Sequence, residues 1–155
     1  MVQFIQNHPK KSRTPFWRIC VPITLFVLLL LVVTPLGPDK PSIQGSRVLW
    51  ETDFPGAYAK AIREHRGMLL FFSVDWCPHC QEMKATTFSD PRVDKASSNR
   101  VRVYVDGEKH RELAHRFGVH SYPVLVLLDS TGTDVGRFKG SADANRFLTW
   151  ISRTR

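Results

Sequence analysis

Residues 68–74 read Met-Leu-Leu-Phe-Phe-Ser-Val and run directly into Asp75-Trp76-Cys77-Pro78-His79-Cys80. A continuous apolar run of this kind suits a central strand buried on both faces, so layers must pack on either side of its sheet. Pro78 suits a first helical turn, and the apolar spacing beyond Cys80 predicts a helix to about Phe88. The two cysteines therefore fall at a strand-to-helix junction, where backbone conformation and side-chain chemistry constrain each other.

The rest of the chain supplies the layers. Phe54, Tyr58, Ala61 and Ile62 are spaced for a helix over 54–66, with Gly67 as its stop. Asp90-Pro91 breaks the helix after Cys80 and introduces a short one. Val101, Val103 and Val105 alternate as a strand, 108–117 reads as a helix halted by Gly118, and 124–128 is another buried strand. Asp129-Ser130-Thr131-Gly132 is a turn leading to a strand over 134–139. Ser141 is placed to cap a last helix through Ile151, with Asp143 in its first turn. Alternating strands and helices predict parallel pairing through crossovers, with the last two strands as an antiparallel hairpin. The expected class is α/β, a mixed sheet of four to five strands flanked by helices.

Upstream, residues 19–38 carry no charged side chain, and 23–33 are almost all Leu, Val, Ile and Phe. A bilayer span needs about 20 such residues. Val32-Val33-Thr34-Pro35-Leu36-Gly37-Pro38 offers no small-x-small cleavage site, which favours an uncleaved anchor over a signal peptide. Lys10, Lys11, Arg13 and Arg18 precede the span and the first acid is Asp39, so the N-terminus is expected inside and the remainder outside. Cys20, at the inner edge of the span, reads as a small apolar residue that cannot readily reach Cys77 or Cys80. The expected organisation is a basic cytoplasmic N-terminus at 1–18, one transmembrane helix at 19–38, a Pro-bearing linker at 39–49 and a folded domain at 50–155. The formal charge is +8, but no basic stripe interleaves with aromatics, so nucleic acid is not an expected partner.

The chemistry centres on Cys77 and Cys80. Amide N–H groups and the positive helix end favour a thiolate at Cys77. Cys77 reads as the exposed nucleophile and Cys80, a turn further in, as the thiol that resolves the mixed disulfide. His79 adds a donor that further favours the thiolate. A structural disulfide would close too small a loop to stabilise much. Zinc lacks a second Cys pair, since His110, His115 and His120 have no usual ligand spacing. Haem attachment needs His after Cys80, where Gln81 stands. Neither a metal nor a cofactor is therefore expected. Pro123 opens the strand that follows Tyr122, as a first strand residue is permitted to do; taken alone, the Tyr122-Pro123 bond reads as trans.

These residues together resemble the thioredoxin superfamily. Trp76-Cys77-Pro78-His79-Cys80 is similar to its active site, Val119-His120-Ser121-Tyr122-Pro123 to its cis-proline loop, and Gly132 and Gly140 to its later glycines, a likeness covering roughly 50–153. It implies a thioredoxin-like fold, a cis Pro123, a substrate-contact role for Tyr122 and Pro123, and tuning roles for Trp76, Pro78 and His79. Asp75-Trp76-Cys77 and Thr87-Phe88-Ser89-Asp90-Pro91 resemble the C-terminal periplasmic domain of the disulfide interchange protein DsbD, whereas the Cys-Pro-His-Cys tetrad is similar to that of the oxidase DsbA. Relatives of the interchange domain carry acids at the positions of Phe71 and Lys84. Their replacement implies a more acidic Cys77 and a more oxidising disulfide, and leaves Asp75 and Glu82 as the nearby candidates for accepting the Cys80 proton, with Glu82 read as a solvated surface group.

The expected function is dithiol-disulfide exchange with protein thiols at the periplasmic face of an inner membrane, supported by a membrane redox partner, in either direction of electron flow. A dedicated maturation factor for cytochrome or metal-site thiols is a narrower alternative. A non-catalytic module binding peptides at Trp76, Tyr122 and Pro123 is an alternative of another class.

Overall fold

The computed structural model describes Ile43 and residues 45–154. The expected N-terminus, membrane span and Cys20 lie outside the described residues. Among the described residues, no helix is long and apolar enough to cross a membrane.

The elements are α1 (Phe54–Arg63), β1 (Met68–Ser73), α2 (Pro78–Ala85), a 3-10 turn (Thr87–Ser89), α3 (Pro91–Ser97), β2 (Val101–Asp106), α4 (Arg111–Arg116), β3 (Val124–Leu128), β4 (Asp134–Lys139) and α5 (Ala144–Arg153). They form one four-stranded sheet in the order β2-β1-β3-β4. Among the described residues, a single parallel bridge from Glu51 to Val103 extends it beyond β2. β1 is buried at every position and occupies the interior of the sheet, as its unbroken apolar run requires.

Alternation along the strands sorts two cores. Leu69, Phe71, Leu125 and Leu127 face one side and pack with Met83 of α2, Val93 of α3, and Phe147 and Ile151 of α5. Met68, Leu70, Phe72, the three valines of β2, and Val124 and Val126 face the other, against Ala57 and Ala61 of α1 and Ala114 of α4. Both cysteines belong to the first core. Behind them lies an aromatic cluster: the Phe88 ring is 4.9 Å from Trp50, 4.8 Å from Phe71 and 5.9 Å from Phe147.

Three local expectations are corrected. β1 pairs with β2 in parallel, as expected, but with β3 antiparallel. The six residues of α4 rise only about 9 Å, too little to carry the chain back along a strand of about 20 Å. The chain therefore re-enters the sheet at the end where it left. Helix α1 ends at Arg63, not Arg66, and His65 leaves it with φ 51°. The Arg66 guanidinium donates to the carbonyls of Ser98, Asn99 and Arg100, which draws the chain off the helical path. Gly67 serves the sheet instead of a cap, because a Cβ there would lie 2.8 Å from the Leu128 carbonyl. Finally, Asp143 rather than Ser141 caps the last helix, accepting from Arg146 N at 2.8 Å. The Ala142 carbonyl accepts from Thr87 Oγ1 at 2.5 Å, and this fixes the residue just before the cap.

Candidate active site

The site forms where β1 ends and α2 begins. Cys77 is the N-cap of α2 and Pro78 stands in the first turn. In place of the usual cap oxygen, Cys77 Sγ accepts from Cys80 N at 3.3 Å, and the Cys77 carbonyl accepts from Cys80 N and Gln81 N at 3.1 Å each. An anion at Sγ would thus meet an amide donor and the positive end of the helix. Both thiols are free.

Opposite lies the loop before β3. Its Tyr122-Pro123 bond is cis, and the Tyr122 carbonyl accepts from the Cys77 thiol at a sulfur distance of 3.8 Å. This corrects the expectation of an exposed nucleophile: Cys77 is 5% accessible, because the loop carrying Tyr122 closes over it. Trp76 is the open residue, 68% accessible, with its indole N–H donating to Glu108 at 2.9 Å. His79 is exposed, with Nδ1 3.6 Å from Glu82 Oε2.

Cys80 is wholly buried. Burial, followed by the hydrogen bond with Cys77, pushes its thiol up to about 11, against lowering by Ser73 and the Val74 backbone. The unfolded thiol ionises first, near 9.0, so stability of the reduced protein should hold below that pH and fall as pH rises from there toward 11. Urea midpoints against pH test this. The Cys80→Ser variant, which keeps every other titrating group, should lack that part of the fall.

Neither sequence candidate for the Cys80 proton sits beside it. The Asp75 side chain is 76% accessible, with Oδ1 3.9 Å from Lys84 Nζ. Glu82 faces solvent beside His79. The polar side chains on the cysteine face of the sheet that act on Cys80 electrostatically are instead Ser73 and Tyr104, which the sequence alone did not single out. Ser73 was visible as the one hydroxyl within an apolar strand. Tyr104 needed the β1–β2 register, which pairs it with Phe71 and so places it on the cysteine side of the sheet.

Gly107 makes room for Tyr122, since a Cβ there would overlap the tyrosine hydroxyl and ring. Gly107→Ala should push Tyr122 aside and open the cleft. The expected result is several-fold faster alkylation of Cys77 by iodoacetamide; an unchanged rate would show that the ring repacks without moving the loop.

His115 and His120 form a ring pair at 6.0 Å, but among the described residues no group of three His, Cys, Asp or Glu is placed to hold a metal ion. A groove of about 520 Å³ lined by Phe54, Tyr58 and Leu113 lies between α1 and α4 and reaches neither cysteine.

This geometry, a Cys pair at a helix N-terminus facing a cis-proline, coincides with a match of residues 54–155 to the thioredoxin-like domain model. The chain belongs to the thioredoxin-like family. It is 30% identical over 141 residues to protein disulfide-isomerase A2 of Homo sapiens, covering 83% of this chain and 27% of that protein. It is 31% identical over 121 residues to the thiol:disulfide interchange protein DsbD of Ralstonia nicotianae, covering 75% of this chain and 20% of that one. This chain thus spans about a quarter of the length of these curated relatives. The oxidised C-terminal domain of DsbD from Neisseria meningitidis superposes with a TM-score of 0.58 at 27% identity, covering 65% of this chain and 92% of that domain. The thioredoxin-like domain is therefore an α/β domain of the thiol-disulfide oxidoreductase family, with relatives among disulfide isomerases and interchange proteins.

Proposed function

We propose that this protein is a membrane-anchored thiol-disulfide oxidoreductase that exchanges disulfides with protein thiols at the periplasmic face of an inner membrane, using Cys77 and Cys80. The observation that carries the reading is the paired environment of the two sulfurs. Cys77 Sγ caps α2 and receives the Cys80 N–H at 3.3 Å beneath the substrate-side loop of Tyr122, while Cys80 is wholly buried one turn away, where burial pushes its thiol up to about 11.

The chemistry follows from that asymmetry. The Cys77 thiolate attacks one sulfur of a substrate disulfide; a Cys77–substrate disulfide forms and a substrate thiolate leaves, taking up a proton. Cys80 then loses its proton and attacks Cys77 Sγ. The mixed disulfide breaks, the second substrate thiol is released, and the domain holds a Cys77–Cys80 disulfide. Two electrons have passed to the substrate, and a redox partner must return them. The same steps reversed oxidise a dithiol substrate, so the partner's potential sets the direction. Tyr122 and Pro123 are placed to line a substrate chain against Cys77, and exposed Trp76 to border it. Pro78 restrains the first turn of α2 and His79 adds a donor beside it.

Residues 19–38 supply the anchor in this reading, with 39–49 as the spacer and a membrane protein as the redox partner. The domain itself calls for no cofactor or metal in these steps.

The test uses the full chain in detergent micelles, with insulin as the disulfide substrate and dithiothreitol as reductant. The parent should accelerate insulin reduction, and Cys77→Ser with Cys80→Ser should return the rate to background. Equal rates would remove the catalytic reading and leave peptide binding. Carbonate extraction of expressing cells should leave the chain in the membrane pellet; release to the supernatant would remove the anchor.

A further inference from the structure

Lys84 is a lysine in an unusual place. It lies in the last turn of α2 and its side chain is 7% accessible, whereas lysines almost never bury fully unless paired. Its ammonium donates to Tyr104 Oη at 3.3 Å and sits 4.9 Å from the centroid of the same ring. The nearest carboxylate, Asp75, is 3.9 Å away and largely in solvent.

Beyond Tyr104 lies Ser73. Register places Phe71 beside Tyr104 and Ser73 beside Asp106, so Ser73 and Tyr104 share the cysteine face of the sheet. Ser73 Oγ is buried and has no partner at full hydrogen-bonding distance. It faces the same side of the sheet as Phe71, which shares a core with Cys80, and it lowers the pKa of both the Cys80 thiol and the Tyr104 hydroxyl. A buried hydroxyl left unsatisfied costs stability, and it is satisfied once a neighbouring sulfur carries a charge and accepts a hydrogen bond from it.

We infer that Lys84, Tyr104 and Ser73 form a chain of donors ending on Cys80, which stabilises the resolving thiolate. Lys84 N–H donates to Tyr104 Oη at 3.3 Å; when Cys80 ionises, Ser73 O–H turns to Cys80 Sγ and Tyr104 O–H turns to Ser73 Oγ. Charge-assisted and mutually polarised bonds of this kind are stronger than neutral ones. The proton lost by Cys80 passes to solvent in the cleft and is balanced by the one taken up by the departing substrate thiolate. Lys84 and Tyr104 act through Ser73 and are positioning residues. The other titratable groups that bear on Cys80 and Tyr104 are Cys77 on α2, Asp75 after β1, Asp106 on β2 and Tyr122 before β3. All are retained in the variants below.

This inference rests on the exchange reading, and the experiment separates the two. The full chain carrying Cys20→Ser, in detergent micelles, is mixed in the reduced state with dithiobis-nitrobenzoate across a pH series. Attack by Cys77 releases one thionitrobenzoate in a phase whose rate depends on reagent concentration. Attack by Cys80 releases the second in a phase that does not. Tyr104→Phe and Ser73→Ala should slow the second phase about tenfold near neutrality and raise its pH midpoint by about one unit, with the first phase unchanged. Lys84→Met should act in the same direction, and Lys84→Arg should restore part of the rate. An unchanged second-phase midpoint in Tyr104→Phe and Ser73→Ala would overturn the inference while leaving exchange intact. Absence of both phases in the parent would overturn the exchange reading and the inference with it.

Discussion

Replacing Cys80 with serine is expected to stall the protein after one half-reaction, as a covalent complex between Cys77 and its substrate. Cys77 keeps its place at the α2 N-cap, because the cap bond comes from the backbone N–H of residue 80, not its side chain. Attack on a substrate disulfide therefore proceeds. What is lost is the intramolecular step. A positioned group in the same molecule acts at effective molarities far above any external thiol, up to about 10⁵–10⁸ M, so turnover should fall on the order of 10³-fold or more. The serine hydroxyl cannot substitute at neutral pH. A non-reducing gel should show a new band that dithiothreitol removes and that Cys77→Ser abolishes. Free turnover in Cys80→Ser, with no trapped species, would show that Cys80 is not the resolving thiol.

Phe88→Ala should be among the most damaging single changes to stability, costing about 3–5 kcal/mol. Phe88 is wholly buried in the 3-10 turn behind α2 and meets three aromatic rings edge-on. Its carbonyl also accepts from Arg47 N and Val48 N, which holds residues 46–48 against the core. Alanine keeps those backbone bonds, so the loss isolates packing: transfer of the ring, the cavity left behind, and edge-to-face contacts worth about 0.5–1.5 kcal/mol each. A domain of this size should lose roughly 10–25 °C in Tm, with the urea midpoint lowered at unchanged slope. The rings surround the cysteines from behind without contacting solvent, so residual folded protein should keep its thiol chemistry. A cost below about 1 kcal/mol would mean that Trp50, Phe71 and Phe147 collapse into the space.

The sequence disclosed most where local pattern and chemistry agreed. The unbroken apolar run at 68–74 suited an interior strand, and Cys77-Pro78-His79-Cys80 took its meaning from the strand before it and the helix after it. The direction of β3 was hidden because it depends on how far α4 carries the chain, and α4, Arg111–Arg116, is shorter than the helix read over 108–117. The last helix misled by one cap: Ser141 and Asp143 both have suitable side chains, and only the tie from Thr87 to the Ala142 carbonyl decides between them. The accessibility of Cys77 was overestimated because the covering group is a backbone carbonyl from a distant loop. Lys84 was conspicuous as a substitution for an acid, yet its burial was not legible, since helix-end lysines ordinarily reach solvent. Its relation to Tyr104 and Ser73 exists only through the parallel register of β1 and β2.

The central claim is that Cys77 and Cys80 form a reversible redox couple. The most direct measurement is to equilibrate the full chain, carrying Cys20→Ser, with glutathione buffers and to read the fraction of Cys77–Cys80 disulfide by alkylation and mass. The account predicts one two-electron transition lying between the potential of thioredoxin, about −270 mV, and that of DsbA, about −120 mV. Two cysteines that remain reduced, or remain unreactive, across every glutathione ratio would contradict it.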